Sequence, residues 1–238
     1  MPTAFSLEAI KFLRGLKTHN DRDWFEARRA TYERTLREPL LALVAEINEA
    51  MTSFAPAYVR PPQKTAMRIY RDIRFSKNKQ PYKTHVSAWW ARAGLEKTSG
   101  GGFYFDFGPA GITIAAGVYM PEREQLLAIR RHLVEHHSTL RKLLAGKRLK
   151  SLLEPIEGQP LSRPPKGFSP ADPAVAAALD LLLCRQWGVV ARLPFEAGLA
   201  PTLGQEIVKR FRAATPILDL LNAPLITALN TPARRPLF

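Results

Sequence analysis

The chain has 238 residues, 46% of them hydrophobic, and its 35 Lys+Arg against 21 Asp+Glu give a formal charge of +14. That length and apolar content suffice to bury a large core, and the expected organisation is a single domain over 1–228 with a loose tail at 229–238. A lone cysteine, Cys184, excludes an intrachain disulfide, and no stretch approaches the roughly 20 apolar residues of a membrane span.

In chain order, Phe5, Ala9, Phe12, Leu13 and Leu16 recur at helical spacing behind Ser6, a helix cap. Asn20 and Asp23 mark a second start, from which Trp24/Phe25, Arg28, Tyr32, Leu36, Leu40, Leu43/Val44, Ile47 and Met51 trace one stripe, kinked at Pro39. The period then changes. Alternation predicts a strand with Met67, Ile69, Arg71, Ile73 and Phe75 on one face and Arg68, Tyr70, Asp72 and Arg74 on the other. A loop from Ser76 to Pro81 leads into a second extended run, Tyr82 to Trp90. Gly100-Gly101-Gly102 reads as a flexible turn. Phe103–Phe107, the turn Gly108-Pro109-Ala110-Gly111 and Ile112–Tyr119 read as a β-hairpin.

Helical spacing returns after Pro121 with Leu126, Ile129, Leu133, Leu140 and Leu144. Six prolines between Glu154 and Pro173 mark an irregular crossing. A helix over 173–187, a short strand at Val189–Phe195 and a helix from Thr202 to about Leu221 complete the pattern. The fold class is α+β: a mainly antiparallel sheet packed with N-terminal, central and C-terminal helices.

Charge concentrates in one place. From Arg60 to Lys83 stand Arg60, Lys64, Arg68, Arg71, Arg74, Lys77, Lys79 and Lys83, against the single acid Asp72. Such a run repels itself unless something negative sits among it, and guanidinium forks match phosphate or carboxylate geometry. Arg68, Arg71, Arg74, Lys77, Lys79 and Lys83 are therefore candidate anion-binding residues. Asp72, between two arginines, and Tyr82 are the candidates for proton handling. On the predicted strand Arg71 faces the apolar side and needs a buried partner there. The competing structural explanation is an ion-pair network to Glu26, Glu33 or Glu46.

Other motifs carry less. His132-Leu133-Val134-Glu135-His136 matches H-x-x-E-H, but no third carboxylate ligand accompanies it and Arg130, Arg131 and His137 crowd the turn, so a solvated helix face is expected, with no metal and no cofactor. Cys184, in an apolar run, reads as a buried inert thiol. No dinucleotide fingerprint or nucleophile elbow is present.

Three blocks together carry a resemblance. They are Phe12-Leu13, Leu16, Asn20, Arg22, Trp24-Phe25 and Tyr32; then Arg68-Ile69, Arg71-Asp72, Arg74-Phe75, Lys79 and Pro81-Tyr82-Lys83; then Pro165-Lys166-Gly167-Phe168 with Pro173. In this order and spacing the chain, over about residues 5–225, resembles the bacterial and fungal family called domain of unknown function 2461. The resemblance implies a single-domain α+β protein and brings no reaction with it. His19 stands where that family usually has a second Asn, and Asp172 where it has His. Lys166, between prolines and Gly167, is expected to sit on a rigid turn and to join the cations of 68–83 at one site.

The charge and its clustering point to a phosphate-bearing ligand, nucleic acid or nucleotide, as partner. The alternatives are an enzyme acting on a phosphoester or similar anion, and a scaffold meeting an acidic protein. The start, Met1 to Glu8, lacks the pattern of a signal peptide, so the expected location is the cytoplasm, with no membrane partner.

Overall fold

The N-terminal third is helical because each apolar stripe is introduced by a side-chain cap. In this computed structural model, which describes residues 4–95, 100–158 and 160–230, α1 spans Leu7–Thr18. The Ser6 side chain accepts from the Ala9 N–H, and Ala9, Ile10, Phe12, Leu13 and Leu16 are buried. Asp21 caps α2 (Arg22–Glu26), accepting from the Trp24 N–H at 2.8 Å. α3 (Arg29–Tyr32) runs through a π-helical turn at Glu33–Arg37 into α4 (Glu38–Met51). Pro39 lacks the N–H that would bond the Thr35 carbonyl, and the expected kink takes the form of this wide turn just ahead of it. A short helix, α5 (Pro62–Thr65), follows.

Five strands form one antiparallel sheet: β1 (Val86–Ala91), β2 (Gly102–Gly108), β3 (Gly111–Val118), β4 (Glu154–Pro155) and β5 (Trp187–Leu193), in the order β1-β2-β3-β5-β4. β2 and β3 make the expected hairpin, and β4 pairs with β5 in the register Glu154↔Val190, Pro155↔Val189. The remaining helices are α6 (Arg123–Ala145), α7 (Lys147–Lys150), α8 (Pro173–Leu182) and α9 (Leu203–Asn230). The fold is α+β. α9 continues past Leu221 although Pro216 and Pro224 lie within it. The tail expected at 229–238 lies, from residue 231, outside the described residues.

One element is corrected. Residues 67–75 form no regular strand; among the described residues the segment's strand-like pairing is confined to the isolated antiparallel bridges Ala66↔Ala88 and Tyr70↔Tyr82. Pro81 has no N–H to complete a ladder, and with Arg68 and Arg71 on opposite faces neither side can be buried continuously. Met67 and Phe75, assigned to the apolar face, are exposed, while Ile69 is buried.

The chain divides into two compact units, Met1–Trp90 with Phe103–Ala115 and Ala191–Arg212, and Ala91–Gly102 with Ala116–Val190 and Ala213–Phe238. In the first, Phe5 stacks on Phe107 at 4.1 Å, and Trp90 and Phe103 pack on Phe211 at 5.2 and 4.6 Å. Buried Asn48 accepts from the Trp90 Nε1–H and donates to the Arg60 carbonyl. In the second, α6 packs on α8. The Gly101 backbone is clamped at both its N–H and its carbonyl by the Asn222 side chain, at 2.7 and 3.1 Å. The glycine run is thus buried and tied down at Gly100 to Gly102, not the flexible turn its composition suggested.

Candidate functional site

The Arg68–Lys83 segment is an irregular hairpin held at its base and at its tip. Three backbone hydrogen bonds tie its arms: Met67 N–H to Ser87, Arg71 N–H to Pro81 and Lys83 N–H to Ile69, each 2.8 Å. Asn20, half-buried after α1, acts as a substitute strand: its Oδ1 accepts from the Tyr82 N–H at 2.9 Å and its Nδ2 donates to the Tyr82 carbonyl at 3.1 Å. The Tyr82 ring, 2% exposed, stacks on Phe25 at 4.2 Å and meets Tyr70 at 5.3 Å. Arg29, held by Glu26, donates to the Tyr70 hydroxyl at 3.1 Å. The first two sequence blocks therefore meet here, one anchoring the other.

At the tip the chain uses its own cations as pins. Arg71 is half-buried and donates to the Gln80 carbonyl at 3.0 Å and the Ser76 hydroxyl at 3.4 Å. Its partner is the loop's backbone and not a core acid. Lys79 donates to the Ile73 carbonyl at 3.1 Å, and the Gln80 N–H donates to the Asn78 side chain. Asp72 binds the Arg74 guanidinium through both carboxylate oxygens, at 3.0 and 2.7 Å. That pairing, with the Arg74 backbone N–H, holds its pKa down at about 2, so Asp72 orients Arg74 and is a poor proton acceptor. Burial raises the Tyr82 pKa, which keeps its hydroxyl protonated.

Carbonyl contacts fix these cations without neutralising them. The Arg68, Lys77 and Lys83 side chains form no salt bridge or hydrogen bond among the described residues, although the Arg68 charge reaches Asp72. Lys83 is half-buried, and its pKa is lowered by burial and then by the neighbouring Arg68 charge. Between the pins stands Phe75, 96% exposed, with the Arg74 guanidinium 5.9 Å from its ring centroid. The sequence pattern turned Phe75 inward and so missed it.

A pocket of about 260 Å³ opens beside Thr84 and His85, lined also by Asp106, Thr113, Lys17 and Arg192. A Cβ on Gly108 would meet the His85 Cβ and the Thr84 carbonyl oxygen at 3.0 Å, so the β2–β3 turn needs glycine to lie this close. Asp106 accepts from the Thr113 N–H at 3.1 Å. Burial lowers the His85 pKa, the Asp106 charge opposes that shift, and Lys83 reinforces it. No acid near His85 was evident in sequence; the sheet supplies Asp106.

Lys166 belongs to the second unit. It is exposed on a turn closed by the Phe168 N–H to the Pro165 carbonyl, with Gly167 at φ +90°, where glycine alone is comfortable. Asp172, where the resemblance led us to expect His, caps α8 by accepting from the Ala174 N–H. His19 ends α1 and stacks on Trp24. His132 is half-buried and stands 4.1 Å from His136, ring to ring. Burial lowers its pKa, while the Leu220 carbonyl, which Pro224 deprives of its helical N–H, opposes the shift. Among the described residues no three His, Cys, Asp or Glu gather as metal ligands would, and no helix is long and apolar enough to cross a membrane.

A family model described as conserved hypothetical protein (DUF2461) matches residues 8–220. No curated protein and no solved structure matches the chain.

Proposed function

The chain belongs to the DUF2461 family, and from the geometry of its hairpin we propose that it is a cytoplasmic protein that binds single-stranded nucleic acid or a nucleotide through the Arg68–Lys83 segment. One observation carries this reading: Phe75 stands 96% exposed beside the Arg74 guanidinium, on a loop that also carries Lys77 and is pinned by Arg71 and Lys79. A bare aromatic ring with cations around it matches a ligand that brings both a π face and phosphates, because bases stack on the ring while the cations follow the backbone. Pinning the loop before binding lowers the entropy lost on binding. Arg68, Lys77 and Lys83 supply charge that no salt bridge among the described residues ties up.

Fluorescence anisotropy with labelled single strands of about 12 nucleotides tests it, a length that covers a typical single-strand site. Phe75→Ala is expected to weaken binding by about 1–3 kcal/mol, roughly five- to more than a hundredfold. Inorganic polyphosphate, which has charge but no bases, is expected to bind parent and variant alike. Equal oligonucleotide affinity for parent and Phe75→Ala removes the stacking reading.

A second reading, phosphoester chemistry, is favoured by the His85–Asp106 pair in a pocket that also presents Lys17 and Arg192. A depressed pKa leaves His85 neutral near pH 7 and able to accept a proton, while the cations offset charge on a transferring phosphoryl group. Turnover of a generic phosphodiester, lost in His85→Gln with oligonucleotide binding intact, supports it; absence of turnover removes it.

A further inference from the structure

In the second compact unit Arg130 is only 6% exposed, yet among the described residues no carboxylate pairs with it. One terminal nitrogen donates to the Cys184 carbonyl at 2.9 Å, and its Nε–H, buried, has no acceptor among the described residues. Burial lowers the Arg130 pKa, Cys184 opposes that shift, and the positive Arg185 reinforces it. A buried guanidinium without a counter-charge is costly, since desolvation is offset only by pairing. Arg130 lines a cleft of about 660 Å³ whose walls include Tyr119, Met120, Leu126 and Leu161, with Arg185 and Gln186 alongside and no acid among the described lining residues. Met120 stands at the cleft 67% exposed and holds φ +51°, a conformation that a non-glycine residue adopts at a cost.

We infer that this cleft binds a small amphipathic carboxylate, its head group on the buried Arg130 guanidinium and its apolar body along Leu126, Leu161, Tyr119 and Met120. The volume lies within the range of small-ligand pockets, about 300–1,000 Å³, and the lining is mostly apolar, with Arg130, Arg185 and Gln186 among its few polar side chains. A monoanion matches one buried guanidinium whose Nε–H is left over. Arg185, exposed, strengthens the field at the head group without being part of the buried contact. The site lies apart in sequence from the cationic hairpin, and the inference does not rest on nucleic-acid binding.

Calorimetric titration of the full chain with decanoate, decanol, acetate and decyl phosphate tests it. Decanoate is expected to bind saturably at one per chain, with decanol and acetate each at least about tenfold weaker, since one loses the charge-assisted bond and the other the apolar contact. Arg130→Met is expected to weaken decanoate at least about tenfold while its melting temperature holds or rises, because an unpaired buried charge is removed. Leu126→Glu, at a half-exposed position in the cleft, is expected to cost a similar factor and keeps the test open should Arg130→Met fail to fold. Decanol binding as tightly as decanoate, decyl phosphate binding more tightly than decanoate, no saturable binding at all, or unchanged affinity in a folded Arg130→Met or Leu126→Glu variant overturns the inference.

Discussion

Replacing Asn20 with Ala separates the base of the hairpin from the helical layer and tests how the site is held. Asn20 makes two hydrogen bonds to one residue's backbone, at 2.9 and 3.1 Å, and Tyr82 beneath it is 2% exposed. Each bond contributes about 0.5–1.5 kcal/mol net, and the Tyr82 N–H and carbonyl, left in a partly buried place, add a penalty that water entering the vacated space reduces. The sum is about 2–3 kcal/mol, or about 4–12 °C in Tm for a chain of this length. Thermal and urea unfolding followed by circular dichroism measure it. Asn20→Asp sharpens the test. An ionised Asp still accepts from the Tyr82 N–H but turns an oxygen toward the Tyr82 carbonyl, so its pKa in the folded state is raised. The stability deficit is then present at pH 7, shrinks as pH falls through the raised folded pKa, and stops shrinking at the unfolded value of about 4. A Tm within about 1 °C of the parent for Asn20→Ala refutes the claim that this clamp holds the hairpin.

Phe75→Ala is expected to leave Tm within about 1 °C, because the ring is almost fully exposed and contributes little to packing; a larger loss by differential scanning fluorimetry would return Phe75 to a structural role. Arg71→Gln removes the pin on the Gln80 carbonyl, so trypsin is expected to cut after Lys77 or Lys79 sooner than in the parent, and an unchanged digestion time course contradicts the pinning. His85 and His132 both have pKa values lowered by burial. The unfolded chain therefore takes up protons first as pH falls through about 6.5, and stability is full above that pH and declines below it. A Tm profile from about pH 8 to 5 should show that decline, and His85→Gln and His132→Gln should each flatten it; a stability that rises on acidification in this window runs against the sign.

Apolar period and caps made the helices and the β2–β3 hairpin legible: Ser6 before α1, and the alternation of Phe103, Phe105 and Phe107 before Gly108. The 67–75 segment shows where such reading ends. A period of two looks the same in a ladder and in a hairpin that Pro81 keeps from pairing, and only the ladder turns Phe75 inward. Arg71 was expected to need an acid, yet its partner is a carbonyl, and backbone partners leave no mark in a sequence. Asn20 looked like a helix start, because nothing local says that its amide will complete Tyr82. His85 and Asp106 sit on separate elements and meet through the sheet alone. The length of α9 past Leu221 and Pro224 is hidden for a related reason: the Leu220 carbonyl that Pro224 leaves without its helical N–H faces His132 on α6.

A salt titration of single-strand binding tests the central claim most directly, comparing the parent with the triple variant Arg68→Gln/Lys77→Gln/Lys83→Gln and with Phe75→Ala. Each neutralised phosphate contributes about −0.7 to the slope of log affinity against log salt for a single strand, so removing three contacts should make the slope shallower by about 2. Phe75→Ala should keep the parent's slope while lowering affinity at every salt concentration, because stacking releases no counterions. A triple variant with the parent's slope, or a Phe75→Ala variant with the parent's affinity, would contradict the account of this hairpin as a nucleic-acid interface.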